Sequence, residues 1–279
     1  IMSLHNSANG LWIGYRFSGV EFLPSTDAER VSEINKTIDD IKIESVSSIV
    51  TTRDGSTFIG TYGEGLYILL GDGKVEHHFI GDNRVIMLYE TSDGKVWIGT
   101  ESGLFEFDFE DQIFRPIELE TDGGNATPKP VVWAMTESPT GDLWFGTMHN
   151  GIYYLLASYR KYEDQPLLRR LQQINSLART VYAIETDALN NIWYSTNLGL
   201  AHYDNTASIE QQISFENGLQ ITDFDFGVSS KDKSGNLYFG GSQGYVRFNP
   251  RDVNFSTIPS PVNITGIDTL NFLFPPPPT

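Results

Sequence analysis

A chain of 279 residues, 39% hydrophobic and 13% aromatic, has the material for a large buried core, and 36 acidic against 19 basic residues give it a formal charge of −17. That charge repels a phosphate backbone and an anionic bilayer, which argues against general nucleic-acid binding and membrane adhesion. With no cysteine there is no disulfide framework and no thiolate metal site.

No apolar run approaches the roughly 18 residues that a membrane span requires. Ile1 does not open a charged start and apolar core of a signal peptide, so the chain reads as a soluble piece of something longer.

The first strand expected is "IMSLHNS" from Ile1, followed by the tight turn "ANG" at 8 and a second strand inside "GLWIGYRFSGVEFL" from Gly10. This succession returns five times. Inner-strand stretches recur as "VSSIVTT" at 46, "RVIMLYETS" at 84, "VVWAMTES" at 131, "TVYAIETD" at 180 and "FDFGVSSKD" at 224. Each precedes a turn rich in Gly, Asn or Asp, residues that accept positive φ in a short hairpin. The aromatic strand follows in "STFIGTYGEGLYILL" from Ser56, "KVWIGTESGLFEFD" from Lys95, "DLWFGTMHNGIYYLL" from Asp142, "NIWYSTNLGLAHYD" from Asn191 and "NLYFGGSQGYVRFN" from Asn236. A second glycine opens a third strand, and a less regular outer strand follows, such as "IFRPIEL" at 113.

The aromatic positions Trp12, Phe58, Trp97, Trp144, Trp193 and Tyr238 are spaced by 46, 39, 47, 49 and 45 residues. Periods of this size with strand patterning belong to four-stranded propeller blades. Segments such as "VWIG" and "LWFG" are apolar almost throughout, as strands packed on both faces should be. The fold class expected is therefore all-β: a β-propeller of four-stranded blades with six repeats visible.

Blades fall near 1–43, 44–83, 84–129, 130–178, 179–221 and 222–257, followed by a linker segment over 258–279. Two stretches interrupt the pattern. "DAERVSEINKTIDDIKI" from Asp27 spaces Val31, Ile34, Ile38 and Ile41 as a helix would, and "QPLLRRLQQINSLA" from Gln165 suits either a helix or an outer strand.

The repeat unit resembles the two-component regulator propeller repeat of bacterial sensor proteins, with the closest match over Asp93 to Asp108. The segment "NGLQITDFDFGVSSKDKSGNLYFGGSQGYVRFNPRDV" from Asn217 resembles the terminal blade of such sensors. "IPSPVNITGIDTLN" from Ile258 resembles the opening strand of the tyrosine-rich Ig-like domain that joins them to the membrane. Ser195 in place of Gly, Phe58 in place of Trp and the Pro275–Pro278 tract depart from the pattern. The family usually has seven blades. The resemblance implies a periplasmic or extracellular sensor region of a membrane-anchored, homodimeric parent, a hybrid histidine kinase or diguanylate cyclase whose catalytic part lies elsewhere.

The tryptophans could serve as sugar-stacking platforms, but their fixed place in the middle strand points to inter-blade packing for Trp12, Trp97, Trp144 and Trp193. No glycine-rich loop opens a helix, so no phosphate cradle is present. His5, His77, His78, His149 and His202 have no metal-ligand spacing. The acidic turns "DFEDQ" at 108 and "TDGGN" at 121 lack the alternating ligands of a calcium loop. No cofactor, metal or catalytic residue is assigned.

A binding face remains. In a propeller, the loops joining second to third strands and those entering the inner strands share one face around the central channel. The first set supplies Tyr15, Arg16, Tyr62, Glu64, Glu101, His149, Asn150, Asn197 and Gln243; the second supplies Asn83, Arg84, Trp133, Arg179 and Asp223. Their character differs from copy to copy, as a ligand face on a repeated scaffold would. Convergence of Arg16, Arg84 and Arg179 would suit an acidic ligand; their dispersal, a neutral oligosaccharide or protein surface. The function expected is non-catalytic sensing of a glycan-derived or other nutrient ligand, with a dimer rearrangement passed toward the membrane. The alternatives are a lyase or hydrolase similar to streptogramin lyase, with His149 or His202 as base, and a structural or dimerisation propeller.

Overall fold

The computed structural model describes residues 1–25, 43–109, 111–120, 130–160, 166–172, 179–213, 219–221, 223–253 and 255. The helical reading from Asp27, the turn at 121, the Ig-like segment from Ile258 and the Pro275–Pro278 tract lie outside them.

The described strands form six antiparallel meanders. Blade 1 holds β1 (Ser3–Ser7), β2 (Gly10–Gly14) and β3 (Val20–Pro24). Blade 2 holds β4 (Val46–Thr51), β5 (Thr57–Thr61), β6 (Leu66–Leu69) and β7 (Val75–His78). Blade 3 holds β8 (Val85–Glu90), β9 (Val96–Thr100), β10 (Gly103–Asp108) and β11 (Ile113–Leu119). Blade 4 holds β12 (Val131–Glu137), β13 (Leu143–Met148), β14 (Gly151–Leu155), the one-turn helix α1 (Ala157–Arg160) and β15 (Leu167–Arg170).

Blade 5 holds β16 (Val181–Thr186), β17 (Ile192–Thr196), β18 (Gly199–Asp204) and β19 (Ile209–Ile213). Blade 6 holds β20 (Phe224–Lys231), β21 (Leu237–Gly241) and β22 (Gly244–Phe248). The protein is an all-β propeller with six repeats. Of the stretch from Gln165, the described residues include an outer strand, β15, over Leu167–Arg170.

Consecutive inner strands β1, β4, β8, β12, β16 and β20 pack side by side, so the blades follow one another around an axis. What joins them is a small residue meeting a branched one. A Cβ added at Gly60 would stand 2.5 Å from Val85 Cγ1 of the next blade, one at Gly14 the same distance from Val46 Cγ1, and one at Gly146 2.7 Å from Val181 Cγ1. The first valine of the inner strands of blades 2, 3 and 5 thus fills the hollow of a glycine in the preceding blade, whereas at Gly99 the Val132 carbonyl takes that place. Ser195 departs for a reason: its Oγ accepts the Ala183 N–H at 3.1 Å, a donor freed by a bulge in β16.

Beside this contact lie the repeated aromatics. Trp12, Phe58, Trp97, Trp144 and Trp193 are all buried in the layers between blades, so none offers a face to a sugar. The indole nitrogen of Trp193 donates to Asp187 Oδ2 at 3.0 Å. In blades 3 and 4 the equivalent turn position is Thr91 or Ser138, and the Trp97 and Trp144 nitrogens are buried without an acceptor among the described residues.

Blades 3 and 4 are also joined at their outer edge. β11 and β15 pair in parallel through Glu118↔Leu167 and Leu119↔Leu168, which fuses the two blades into one eight-stranded sheet. Glu120 secures the seam by accepting the Arg170 N–H at 3.0 Å and, through its carbonyl, the Tyr153 hydroxyl at 3.2 Å. The two ends of the array differ from its interior. Leu4 and Tyr245 are exposed, whereas the residues in register with them in the interior blades, such as Ile49 and Met135 or Leu66 and Ile152, are buried.

The valine-in-glycine contact makes a quantitative prediction. Gly146→Ala overpacks the hollow and destabilises the protein by about 1–3 kcal/mol in urea unfolding. Adding Val181→Ala removes the collision, so the double mutant is more stable than the sum of the two single losses. Strict additivity contradicts the contact.

Candidate functional site

Three of the sequence-selected residues meet on the loop face between blades 2 and 3. Tyr62 begins the β5–β6 loop and bridges to Arg84 in an isolated antiparallel pair. Two glycines tighten that loop: the N–H groups of Gly63 and Gly65 both donate to Asn83 O, at 2.9 and 3.0 Å. Asn83 itself adopts a left-handed φ of 64°, a conformation that Asn tolerates better than most residues.

The chain is thereby turned so that Arg84 spans two carboxylates, Asp82 and Glu101, each at 2.6 Å. The Tyr62 hydroxyl donates to the other oxygen of Glu101. This hydrogen bond, with a smaller desolvation contribution, holds the Tyr62 phenol above its ordinary range, because losing the proton would set a phenolate against a carboxylate. Glu64, on the same loop, accepts the Glu44 N–H at 3.1 Å.

The remaining loop residues form smaller groups. In blade 1 the Tyr15 hydroxyl donates to Glu21 Oε2 at 2.8 Å, and the Arg16 guanidinium lies 5.3 Å over the Phe17 ring. In blade 4, His149 has a left-handed φ of 69° and its Nδ1 lies 3.2 Å from Thr180 Oγ1. Asn150 O accepts from Arg170 Nε at 3.0 Å, and the Arg179 carbonyl accepts the Gly151 N–H at 2.7 Å. Asp223 accepts from the Ser242 hydroxyl, while Asn197 and Gln243 are exposed at their hairpin tips. An acidic ligand would have to compete with Asp82 and Glu101 for Arg84, so that arginine offers it no spare charge.

Nearer the axis stands a group that the sequence marked only at Trp133. The inner strands of blades 2 to 5 each shift register by one residue, between Val46 and Ser48, Val85 and Met87, Val132 and Ala134, and Val181 and Ala183. Such a bulge re-aims the extra side chain. The residues concerned are Ser47, Ile86, Trp133 and Tyr182. Two of them lock onto the next blade, Ser47 Oγ donating to Val85 O at 2.6 Å and Trp133 Nε1 to Val181 O at 2.5 Å.

In blade 6 the shift is larger, from Phe224 to Ser229, and Gly227 at a φ of 68° lets the chain bow outward. Phe226 rides on that bow. Its ring lies 4.0 Å from Trp133 and 4.8 Å from Tyr182, centroid to centroid. Blades 4 and 6 are not neighbours, so their rings meet only where the inner strands converge on the channel mouth. Phe226 remains 55% exposed, and the aromatic group therefore presents a face to solvent. Comparing the third residue of each inner-strand stretch would have found both Tyr182 and Phe226; nothing in the sequence marks the longer bow of blade 6.

The opposite face is built differently. There, inner-strand ends and hairpin turns tie blade to blade: Arg53 N donates to Glu90 Oε1 at 3.0 Å, and Ser92 donates through N and Oγ to Glu137 at 2.5 and 2.7 Å. Arg160, at the end of α1, pairs with Asp93 at 2.6 Å and Glu137 at 3.0 Å. A shallow cavity of about 490 Å³ lies beside this network, lined by Arg53, Asp54, Lys95 and Phe109 among others. Its charged groups are engaged by neighbours outside the lining: Arg53 donates to Ser92 O, Lys95 pairs with Glu106 and Asp93 with Arg160. Asp93, although burial alone would raise it, is held below the usual carboxylate range by Thr91, Arg160 and Lys95.

His202 is buried in the third strand from the axis, against Trp193 and Phe255, and so cannot serve as a base at the channel. Among the described residues no group of three or more His, Asp or Glu side chains is arranged to hold a metal ion. No helix of these residues is long and apolar enough to cross a membrane.

These features define a β-propeller with polar and aromatic groups gathered on its loop face and turns that tie blade to blade on the other. Residues 80–102 match the family model described as two component regulator propeller, which bears out the resemblance read from the repeat. Over 97% of its length the chain is 25% identical to histidine kinase P4 of Formosa agariphila, and it spans 20% of that relative. The extracellular domain of BT4673 from B. thetaiotaomicron, assigned to the one component systems, superposes with a TM-score of 0.67 at 17% identity, covering 88% of this chain and 32% of that one. Virginiamycin B lyase from Staphylococcus aureus does so with a TM-score of 0.55 at 17% identity, covering 78% and 71%. Likeness at these identities shows a shared fold alone.

The Tyr62–Glu101 bond carries its own test. Glu101→Gln removes the charge that opposes the phenolate, so the Tyr62 pKa, followed by NMR of its Cζ resonance, falls toward its ordinary value of 10.0. No movement would show that the two groups are not bonded in solution.

Proposed function

We propose that this propeller is the extracytoplasmic sensing domain of a bacterial membrane signalling protein of the two-component type, and that it binds a glycan-derived or similar nutrient ligand at its loop face. The observation that carries the proposal is the partly exposed group of Trp133, Tyr182 and Phe226 at the channel mouth, on the same face as the Tyr62–Arg84–Glu101 network. A sugar ring has one apolar face and a rim of hydroxyls. Aromatic rings serve the first, and a network of carboxylate, guanidinium and phenol serves the second. The family match and the histidine-kinase relative support the sensor class.

A catalytic role has less support. Acid–base elimination needs a base within hydrogen-bond reach of an acid or metal. On this face the ring partner found for His149 is the Thr180 hydroxyl. The output reading is that ligand binding favours one arrangement of paired sensors, so the parent acts as a homodimer and the change passes toward the membrane.

A thermal-shift screen against oligosaccharides tests the proposal. A true ligand at a hundred times its Kd stabilises the fold by about 2.7 kcal/mol. Phe226→Ala should weaken that ligand about tenfold, roughly 1.4 kcal/mol, by removing an exposed stacking surface. Ligands whose affinity is indifferent to Phe226 and to Trp133→Ala contradict the site, and a broad panel without any hit contradicts the sensing of glycans.

A further inference from the structure

The chain leaves blade 6 by turning back toward blade 5. Asn249 caps a single 3-10 turn, Pro250–Asp252, by accepting the Arg251 N–H at 3.1 Å, while its Nδ2 donates to Asn236 Oδ1 at 3.2 Å. Past this turn, Val253 and Phe255 pack against the apolar layer between blades 5 and 6. Phe255 lies nearly flat on His202 of blade 5, with centroids 4.6 Å apart and planes 17° from parallel, and its ring also reaches Trp193 at 5.9 Å. The ring contact of the exit segment with blade 5 is thus made by Phe255, on His202 and Trp193, with Val253 packed beside it.

That histidine is an unusual choice for its position. The residue paired across from the buried aromatic is Phe22 in blade 1, Ile68 in blade 2 and Tyr154 in blade 4. In blade 3 it is Glu106, held by Lys95 at 2.6 Å. His202 is 5% exposed, and its Nδ1 is buried without a partner among the described residues. We infer that His202 and Phe255 form an acid-released latch that pins the exit segment of the propeller into the crevice between blades 5 and 6.

The physical basis is the cost of placing a charge there. A neutral imidazole stacks between Trp193 and Phe255 as an aromatic ring would. An imidazolium in the same place loses its hydration and carries an N–H that no described residue accepts. Burial lowers the His202 pKa from its ordinary 6.5, and the opposing pulls of Gln211, Asp187 and Asp204 do not offset it.

Asp187 is itself engaged by Trp193 Nε1, and the groups of the exit segment that meet this layer, Val253 and Phe255, are uncharged. Glu185, on the same row of blade 5 nearer the axis, is raised by burial, so it too resists carrying charge. Because the latched state binds the proton less well than the released one, the latch is fully held above the ordinary histidine value and weakens as pH falls below it. Release frees the point at which the chain departs from its last blade, where a change can pass to whatever follows.

Hydrogen–deuterium exchange of the whole chain at about pH 7.5 and about pH 5, each rate divided by the intrinsic rate at that pH, reads the latch directly. In the wild type, exchange over residues 249–255 should rise about tenfold or more on acidification while blades 2 to 4 hold steady. His202→Phe keeps the stack without the titration and should abolish the rise; Phe255→Ala should leave the segment fast at both pH values. An NMR titration of His202 in the wild-type chain guards against a variant that misfolds. A pKa at or above 6.5 there, an unchanged acid response in His202→Phe, or a rise spread over every blade would overturn the latch.

Discussion

The contact on which the rest depends is a valine seated in the hollow of a glycine one blade earlier. Without a Cβ at Gly14, Gly60 and Gly146, the next sheet approaches closely enough for its first valine to lock in. The aromatic residues beside these glycines are then sealed from water. Burial of a large side chain stabilises by about 1.5–3 kcal/mol, and here it recurs at every blade junction. A repeated local contact of this kind builds a scaffold whose stability is distributed, which leaves the loops free to vary.

The same contact explains why the two faces differ. The inner strands of blades 2, 3 and 5 place their first valine in the hollow and still send their later residues down the channel, and in blades 2 to 5 a one-residue bulge re-aims the strand. The bulged residue is forced out toward the axis. Where it is Ser47 it caps a carbonyl; where it is Trp133 or Tyr182 it builds an aromatic surface that Phe226 completes. The opposite face has no such surplus. Its turns are occupied with joining blades, through Ser92, Glu137 and Arg160. Removing Arg160 would take from Glu137 its cationic partner and leave it the two Ser92 donors, which marks this network as structural.

Much of the fold was legible because the period was. Trp12, Phe58, Trp97, Trp144, Trp193 and Tyr238 occupy the second strand of their blades, and the turn residues accept positive φ where they should, as at Gly94 and Asn190. The parallel seam of β11 with β15 was not legible, because it depends on how closely two outer strands converge rather than on either strand's sequence. The candidate site was legible in part. Loop position located Tyr62, Arg84 and Glu101, but not that they bond one another, which depends on the backbone turn at Asn83. Phe226 stands at the same third position of its stretch as Trp133 and Tyr182, but the four-residue bow that carries its ring onto theirs leaves no periodic trace.

On the proposed function the loop face receives the ligand, while the turn face holds the blades together. A hydrogen–deuterium exchange footprint of the protein saturated with a ligand that raises its melting temperature tests this most directly. Protection is expected around Tyr62, Arg84 and Glu101 and over the inner-strand starts at Trp133, Tyr182 and Phe226. Protection confined to the turns around Arg53, Asp93 and Arg160 would contradict it.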